Sequence, residues 1–101
     1  MTSKFFNMGL VVVTKGIDSA MKKNSKFAEE VDSCLQRFTN KDWGDLDDED
    51  KQTNEDALNY PDDIYLLGAY KTCEGKIWII TNRISEKAGD NATTVCFPDE
   101  R

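Results

Sequence analysis

The chain has 101 residues, which suits a single domain over residues 1–101 with one core, and its 39% hydrophobic content lies well outside the disordered class. Its net charge is −6, from 19 acids against 13 bases. That balance argues against nucleic acid or an anionic membrane as a direct ligand, because phosphate recognition needs a basic patch.

The first predicted element is a strand over Leu10 to Thr14, β-branched and apolar. The run from Met8 to Val13 is interrupted by Gly9 and too short for a signal-peptide core or a membrane span, so a cytoplasmic setting is expected. Lys15-Gly16 reads as a turn, and Asp18 or Ser19 as the cap of a short helical turn through Lys22. Asn24 or Ser25 then opens the clearest helix. Phe27, Val31, Cys34, Leu35 and Phe38 fall on one face of a 3.6-residue period, with Glu29, Glu30, Asp32, Gln36 and Arg37 on the wet side. Thr39-Asn40 ends it.

From Asp42 to Asp63 the composition changes. Ten acids and one base, Lys51, give this stretch a charge of −9, which leaves +3 for the rest of a chain whose total is −6. The acidity is therefore a patch. Asp47 or Asp48 can cap a second helix from about Glu49 to Asn59, stopped by Pro61, with Ala57 and Leu58 as its apolar anchors and Trp43 and Leu46 just upstream. The last third reads as strands: Ile64 to Tyr70, Ile77 to Thr81 and Thr93 to Phe97. Thr72-Cys73-Glu74-Gly75 is a short hairpin loop, and Asn82 to Ala92 a longer polar connection. Trp78 alternates with Ile77 and Ile79 and so faces the opposite way. The order β-α-α-β-β-β predicts an α+β two-layer domain, an antiparallel sheet of about four strands covered by two helices.

The available chemistry is narrow. Histidine is absent, which removes the commonest general base, the commonest metal ligand and every histidine-dependent triad. Cys34, Cys73 and Cys96 are odd in number and lack metal-ligand spacing; Cys34 and Cys96 sit in apolar patterns and read as core, Cys73 as a residue beside a turn. Asp45, Asp47 and Glu49 match the first, third and fifth positions of a calcium loop, but Asp50 stands where the turn needs glycine, and Asp56 where a bidentate glutamate belongs. Clustered acids also suit a magnesium-dependent hydrolase, yet this cluster is contiguous and no base accompanies it to hold phosphate. No cofactor, metal or catalytic residue is expected.

Two non-enzymatic readings remain. In one, the acidic run presents a phosphate-like charge density, since an α-helix rises ~1.5 Å per residue and duplex DNA carries one charge per ~1.7 Å. Trp43, Asp45, Asp47, Asp48, Glu49, Asp50, Glu55 and Asp56 would then contact a protein partner through its basic nucleic-acid-binding surface, with Trp43 as aromatic anchor. In the other, the acids only solvate, and the sheet, through Tyr65, Tyr70 and Trp78, joins copies of the chain, so that the protein is a homodimer rather than a monomer. Trp43 has a structural alternative as a plug between helix and sheet.

Asp42-Trp43-Gly44-Asp45-Leu46, Glu49-Asp50-Lys51, Asn54-Glu55-Asp56-Ala57-Leu58, Ala69-Tyr70, Lys76-Ile77-Trp78-Ile79-Ile80-Thr81 and Thr93-Thr94-Val95-Cys96-Phe97-Pro98-Asp99-Glu100 together resemble a family of small "plasmid-related" proteins carried by plasmids, phages and integrative elements of bacteria, especially Firmicutes. The family tends to join its last two strands by a shorter charged turn than Asn82 to Ala92, and it often ends in an aromatic where this chain has Arg101. The resemblance implies a mobile-element setting. It makes an inhibitor of host defence, an anti-CRISPR or antirestriction protein, the expected role, and a bacterial cytoplasm the expected location.

Overall fold

The computed structural model describes residues 3–59, 65–84 and 90–100. It is an α+β domain in the order β1 (Leu10–Val13), α1 (Lys15–Lys23), α2 (Ser25–Thr39), α3 (Asp48–Leu58), β2 (Tyr65–Thr72), β3 (Gly75–Arg83), β4 (Asn91–Cys96) and a terminal 3₁₀ turn (Pro98–Glu100). The strands form one sheet in the order β1-β4-β3-β2. β2–β3 and β3–β4 are antiparallel, as expected, but β1 runs parallel to β4, so the sheet is mixed.

The core lies between one face of the sheet and α1 and α2. Leu66 and Tyr70 of β2, Ile77 and Ile79 of β3 and Val95 of β4 meet Ile17, Phe27, Val31, Cys34, Leu35 and Phe38 of the helices. The periodic positions of α2 are thus its buried face, and Asn24 caps it by accepting from the N–H groups of Lys26 and Phe27. Cys34 and Cys96 are buried and Cys73 is exposed. Thr81 and Thr93 share a 2.6 Å hydrogen bond across β3–β4, and Thr93 also donates to the Met8 carbonyl, so the two buried hydroxyls on the core face are satisfied.

Three local expectations change. The short turn expected near Asp18 is a nine-residue helix that starts at Lys15, directly after β1. Thr14 makes no side-chain cap. Instead Glu100, from the far end of the chain, accepts from the Thr14 hydroxyl at 2.6 Å and the Gly16 N–H at 3.0 Å, which places a carboxylate at the positive end of α1. Second, β3 and β4 extend through Asn82↔Ala92 and Arg83↔Asn91, so both ends of the connection read as Asn82 to Ala92 belong to the ladder, and residues 85–89 within it lie outside the described residues. Third, α3 ends at Leu58; Pro61, read as its stop, lies outside the described residues, as do Tyr60, Asp62, Asp63 and Ile64.

The acidic segment seals the outer edge of β2. The Ala69 N–H donates to the Trp43 carbonyl at 3.1 Å and the Asp45 N–H donates to the Ala69 carbonyl at 2.7 Å, a parallel bridge centred on Gly44. Gly44 has φ +76°, and a Cβ there would stand 2.0 Å from the Ala69 oxygen, so no other residue fits. Two residues along, buried Asn54 donates to the Leu67 carbonyl at 2.7 Å and accepts from the Leu67 N–H at 3.1 Å. One amide side chain replaces a strand at that point. Asn54→Ala therefore orphans two partly buried backbone groups of Leu67, and we expect a loss of about 1–3 kcal/mol in urea unfolding with the fold retained.

Candidate functional site

The acidic run is built first as a helix. Asp47 is its N-cap, accepting from the Asp50 N–H at 2.8 Å, and Asp48, Glu49 and Asp50 occupy the first turn, where the helix dipole favours negative charge. Little of the helix is apolar: Ala57 and Leu58 are half-buried against the core, and Asn54 is its only buried residue. Leu46, just upstream, packs on the same core.

Trp43 does not stand on this surface. It is only 3% exposed and packs edge-on to Phe38 and obliquely to Phe6. The expected aromatic anchor is a core plug, because the bridge at Gly44 pins its backbone to β2 and turns the ring inward. Glu55 is also committed to the fold. Its carboxylate accepts from the Trp43 indole N–H at 3.4 Å and pairs with Lys41 at 3.3 Å. Asp42 is held similarly, bidentate to Arg37 at 2.8 and 3.3 Å while accepting from the Gly44 N–H. The Arg37 guanidinium keeps its carboxyl below the ordinary carboxylate range.

Asp45, Asp47, Asp48, Glu49, Asp50 and Asp56 remain exposed, and among the described residues no cation lies within ion-pair distance of any of them. Five of them ride on the helix from Asp47 to Asp56, four in its first turn and Asp56 roughly 9 Å further along the axis. The structure thus leaves six of the eight sequence-predicted residues exposed on and beside α3 and withdraws Trp43 and Glu55 into the fold.

An open groove of about 370 Å³ runs along α2, lined by Lys26, Glu29, Glu30, Ser33, Cys34, Arg37 and Lys71. Its charges are mixed, and burial pushes the Cys34 thiol above its ordinary pKa. The exposed Cys73 thiol is also raised, chiefly by its hydrogen bond to Glu30. Neither sulfur is poised as a thiolate nucleophile. Among the described residues, no group of three or more Cys, Asp or Glu side chains is placed to hold a metal ion, and no helix is long and apolar enough to cross a membrane.

The sheet face away from the helices was visible in the sequence only through the alternation of Trp78. It carries Leu10 and Val12 of β1, Thr94 of β4, Trp78 and Ile80 of β3, and Tyr65 and Leu67 of β2. Leu10 and Tyr65 are 68% and 46% exposed. Tyr70, expected on this interface, lies on the opposite face. It is fully buried in the core, and its hydroxyl donates to the Asp42 carbonyl at 2.7 Å.

Comparison with protein-family models, with curated proteins and with solved structures gave no match.

Burial, reinforced by the nearby Asp42 charge, pushes the Tyr70 phenol well above its ordinary value. The sign follows: a pKa raised in the fold gives stability that is whole below the unfolded value near 10 and is lost as the pH rises beyond it. Stability should therefore fall above about pH 10, with phenolate absorbance from Tyr70 appearing together with unfolding, and Tyr70→Phe should flatten that alkaline dependence.

Proposed function

We propose that the protein is a non-enzymatic binding protein that presents Asp45, Asp47, Asp48, Glu49, Asp50 and Asp56 to a basic surface on a protein partner. The observation that supports this most is that, among the described residues, no cation pairs with these six carboxylates, while Asp42 and Glu55 nearby are each paired. Asp47 caps α3 and Asp48, Glu49 and Asp50 sit at its positive end, but none of these roles cancels the charge. The six carboxylates leave their field for an external cationic surface, where complementarity raises the association rate and fixes the register.

The resemblance to small mobile-element proteins gives the partner its class. In this reading the partner is a host defence nuclease complex in a bacterial cytoplasm, a CRISPR effector or a restriction enzyme, and the acidic helix occupies its nucleic-acid channel in place of nucleic acid. The lack of histidine, together with two thiols held above their ordinary pKa, supports a binding role over a catalytic one. Without Trp43, affinity rests on charge, so binding is strongly salt-dependent.

The second reading, a self-associating adaptor of the mobile element, is favoured by the exposed Leu10, Val12 and Tyr65 at the margins of the sheet face away from the helices, whose centre at Ile80 is buried. It loses Tyr70 and keeps Tyr65 and Trp78.

The deciding experiment is recovery of partners by the tagged protein from its bacterial host at low and moderate salt. A variant with Asp45, Asp48, Asp50 and Asp56 changed to Asn and Glu49 to Gln, which spares the Asp47 cap, should bind the recovered complex at least tenfold more weakly, about 1.4 kcal/mol, while its melting stays cooperative. Unchanged affinity would end the acidic-surface reading.

A further inference from the structure

The two edges of the sheet are finished differently. β2 is sealed by Trp43, Asp45 and Asn54. β1 is not. Its Thr14 end donates inward, from the Thr14 N–H to the Val95 carbonyl at 3.1 Å. Alternation along the strand then aims the N–H and C=O groups of Val11 and Val13 away from β4, and none of these four groups has a partner among the described residues. The strand reads Leu-Val-Val-Val, with no charge, proline or bulge. Edge strands that remain single are normally blunted by such features.

We propose that β1 is the pairing edge for a second copy of this chain, joined antiparallel about a two-fold axis at Val12, so that two four-stranded sheets become one of eight. The occupant follows from self-complementarity. The outward groups belong to residues two apart, so Val11 of one copy opposes Val13 of the other and both pairs exchange two hydrogen bonds, which satisfies all four groups on each strand. The neighbouring registers fail. Centring on Val11 brings Gly9, with φ +64°, into the ladder, and centring on Val13 brings in Lys15, which is already helical. With the axis at Val12 the two Val12 side chains lie directly opposite, and Leu10 joins them on the free face.

Charge layout allows it. The acidic surface is at the β2 edge, so in the paired sheet the two acidic surfaces are separated by seven strand spacings, roughly 34 Å, about four Debye lengths at physiological salt. A basic partner finds no acid on β1, whereas an identical uncharged strand meets no repulsion there. α1 does not obstruct the edge, since it packs inward on α2 and β4. This inference is independent of what the acidic surface binds.

The test is sedimentation of the whole chain from about 10 to 500 µM, the range suited to an interface smaller than the standard size. A concentration-dependent dimer is expected, weakened at least tenfold by Val12→Lys, which sets like charges face to face at the axis. Because a non-hydrogen-bonded antiparallel pair has Cα atoms about 4.5 Å apart, Val12→Cys in a Cys73→Ser background should give a reducible disulfide-linked dimer on mild oxidation. Leu10→Cys, which faces Thr14 across the axis, should not. A monomer throughout the range would overturn the proposal. So would a dimer indifferent to Val12→Lys and lost on Trp78→Ala, and so would equal cross-linking at positions 10 and 12.

Discussion

The outer edge of β2 directs the backbone groups of Leu67 and Ala69 away from the sheet, at a place where α2 and α3 crowd out water. Left unpaired there, each would cost on the order of 1–3 kcal/mol. The chain answers with its own acidic segment, which serves Ala69 through the Trp43 carbonyl and the Asp45 N–H and serves Leu67 through the Asn54 amide. Most of the surrounding structure follows. The backbone must come close enough to bond Ala69, so position 44 must be glycine. Gly44 in turn fixes Trp43, whose ring fills the space against Phe6 and Phe38. Asp42, on the other side of Trp43, is held by Arg37 and by the Tyr70 hydroxyl, and Arg37 lies 5.0 Å above the Tyr70 ring. Edge, core and the last turn of α2 are joined through four consecutive residues.

This arrangement explains why the acidic run resists a single interpretation. Part of it is helix-start chemistry. α3 has few apolar residues, so it depends on an N-cap and on charge at its positive end, and Asp47 with the acids of the first turn supply both. Part is internal pairing, as with Asp42 and Glu55. A patch that looks uniform in the sequence is divided by the fold into groups that hold the structure and groups that do not.

Patterns of local origin were legible in advance. The apolar spacing of α2 and its Asn24 cap, the cap at Asp47, the short turn after Thr72 and the opposed faces of Trp78 and Ile77 are all set by neighbours within a few residues, where periodicity and capping rules apply. Features that need distant chain were not. The parallel pairing of Leu10 with Ala92 joins segments more than eighty residues apart, and nothing in either strand announces its direction. The helical start at Lys15 depends on Glu100, so its own sequence, with Gly16 in the first turn, reads as a turn. Trp43 was ambiguous because its neighbours are acids. Its burial is decided by Gly44 meeting Ala69, again a long-range event.

The number of acids on α3 still exceeds what its stability requires. A cap contributes about 1 kcal/mol and one first-turn carboxylate typically 0.3–1 kcal/mol. Further carboxylates in the same turn add repulsion among themselves, and like charges three or four residues apart cost about what an ion pair would gain. Asp47, Asp48, Glu49 and Asp50 are adjacent, none is in an ion pair among the described residues, and Asp45 and Asp56 extend the same field beyond the first turn. Lys51 is the one base interspersed among them, four residues from both Asp47 and Glu55, and a single lysine offsets little of that repulsion. Capping and the helix dipole therefore account for only part of the acid on α3.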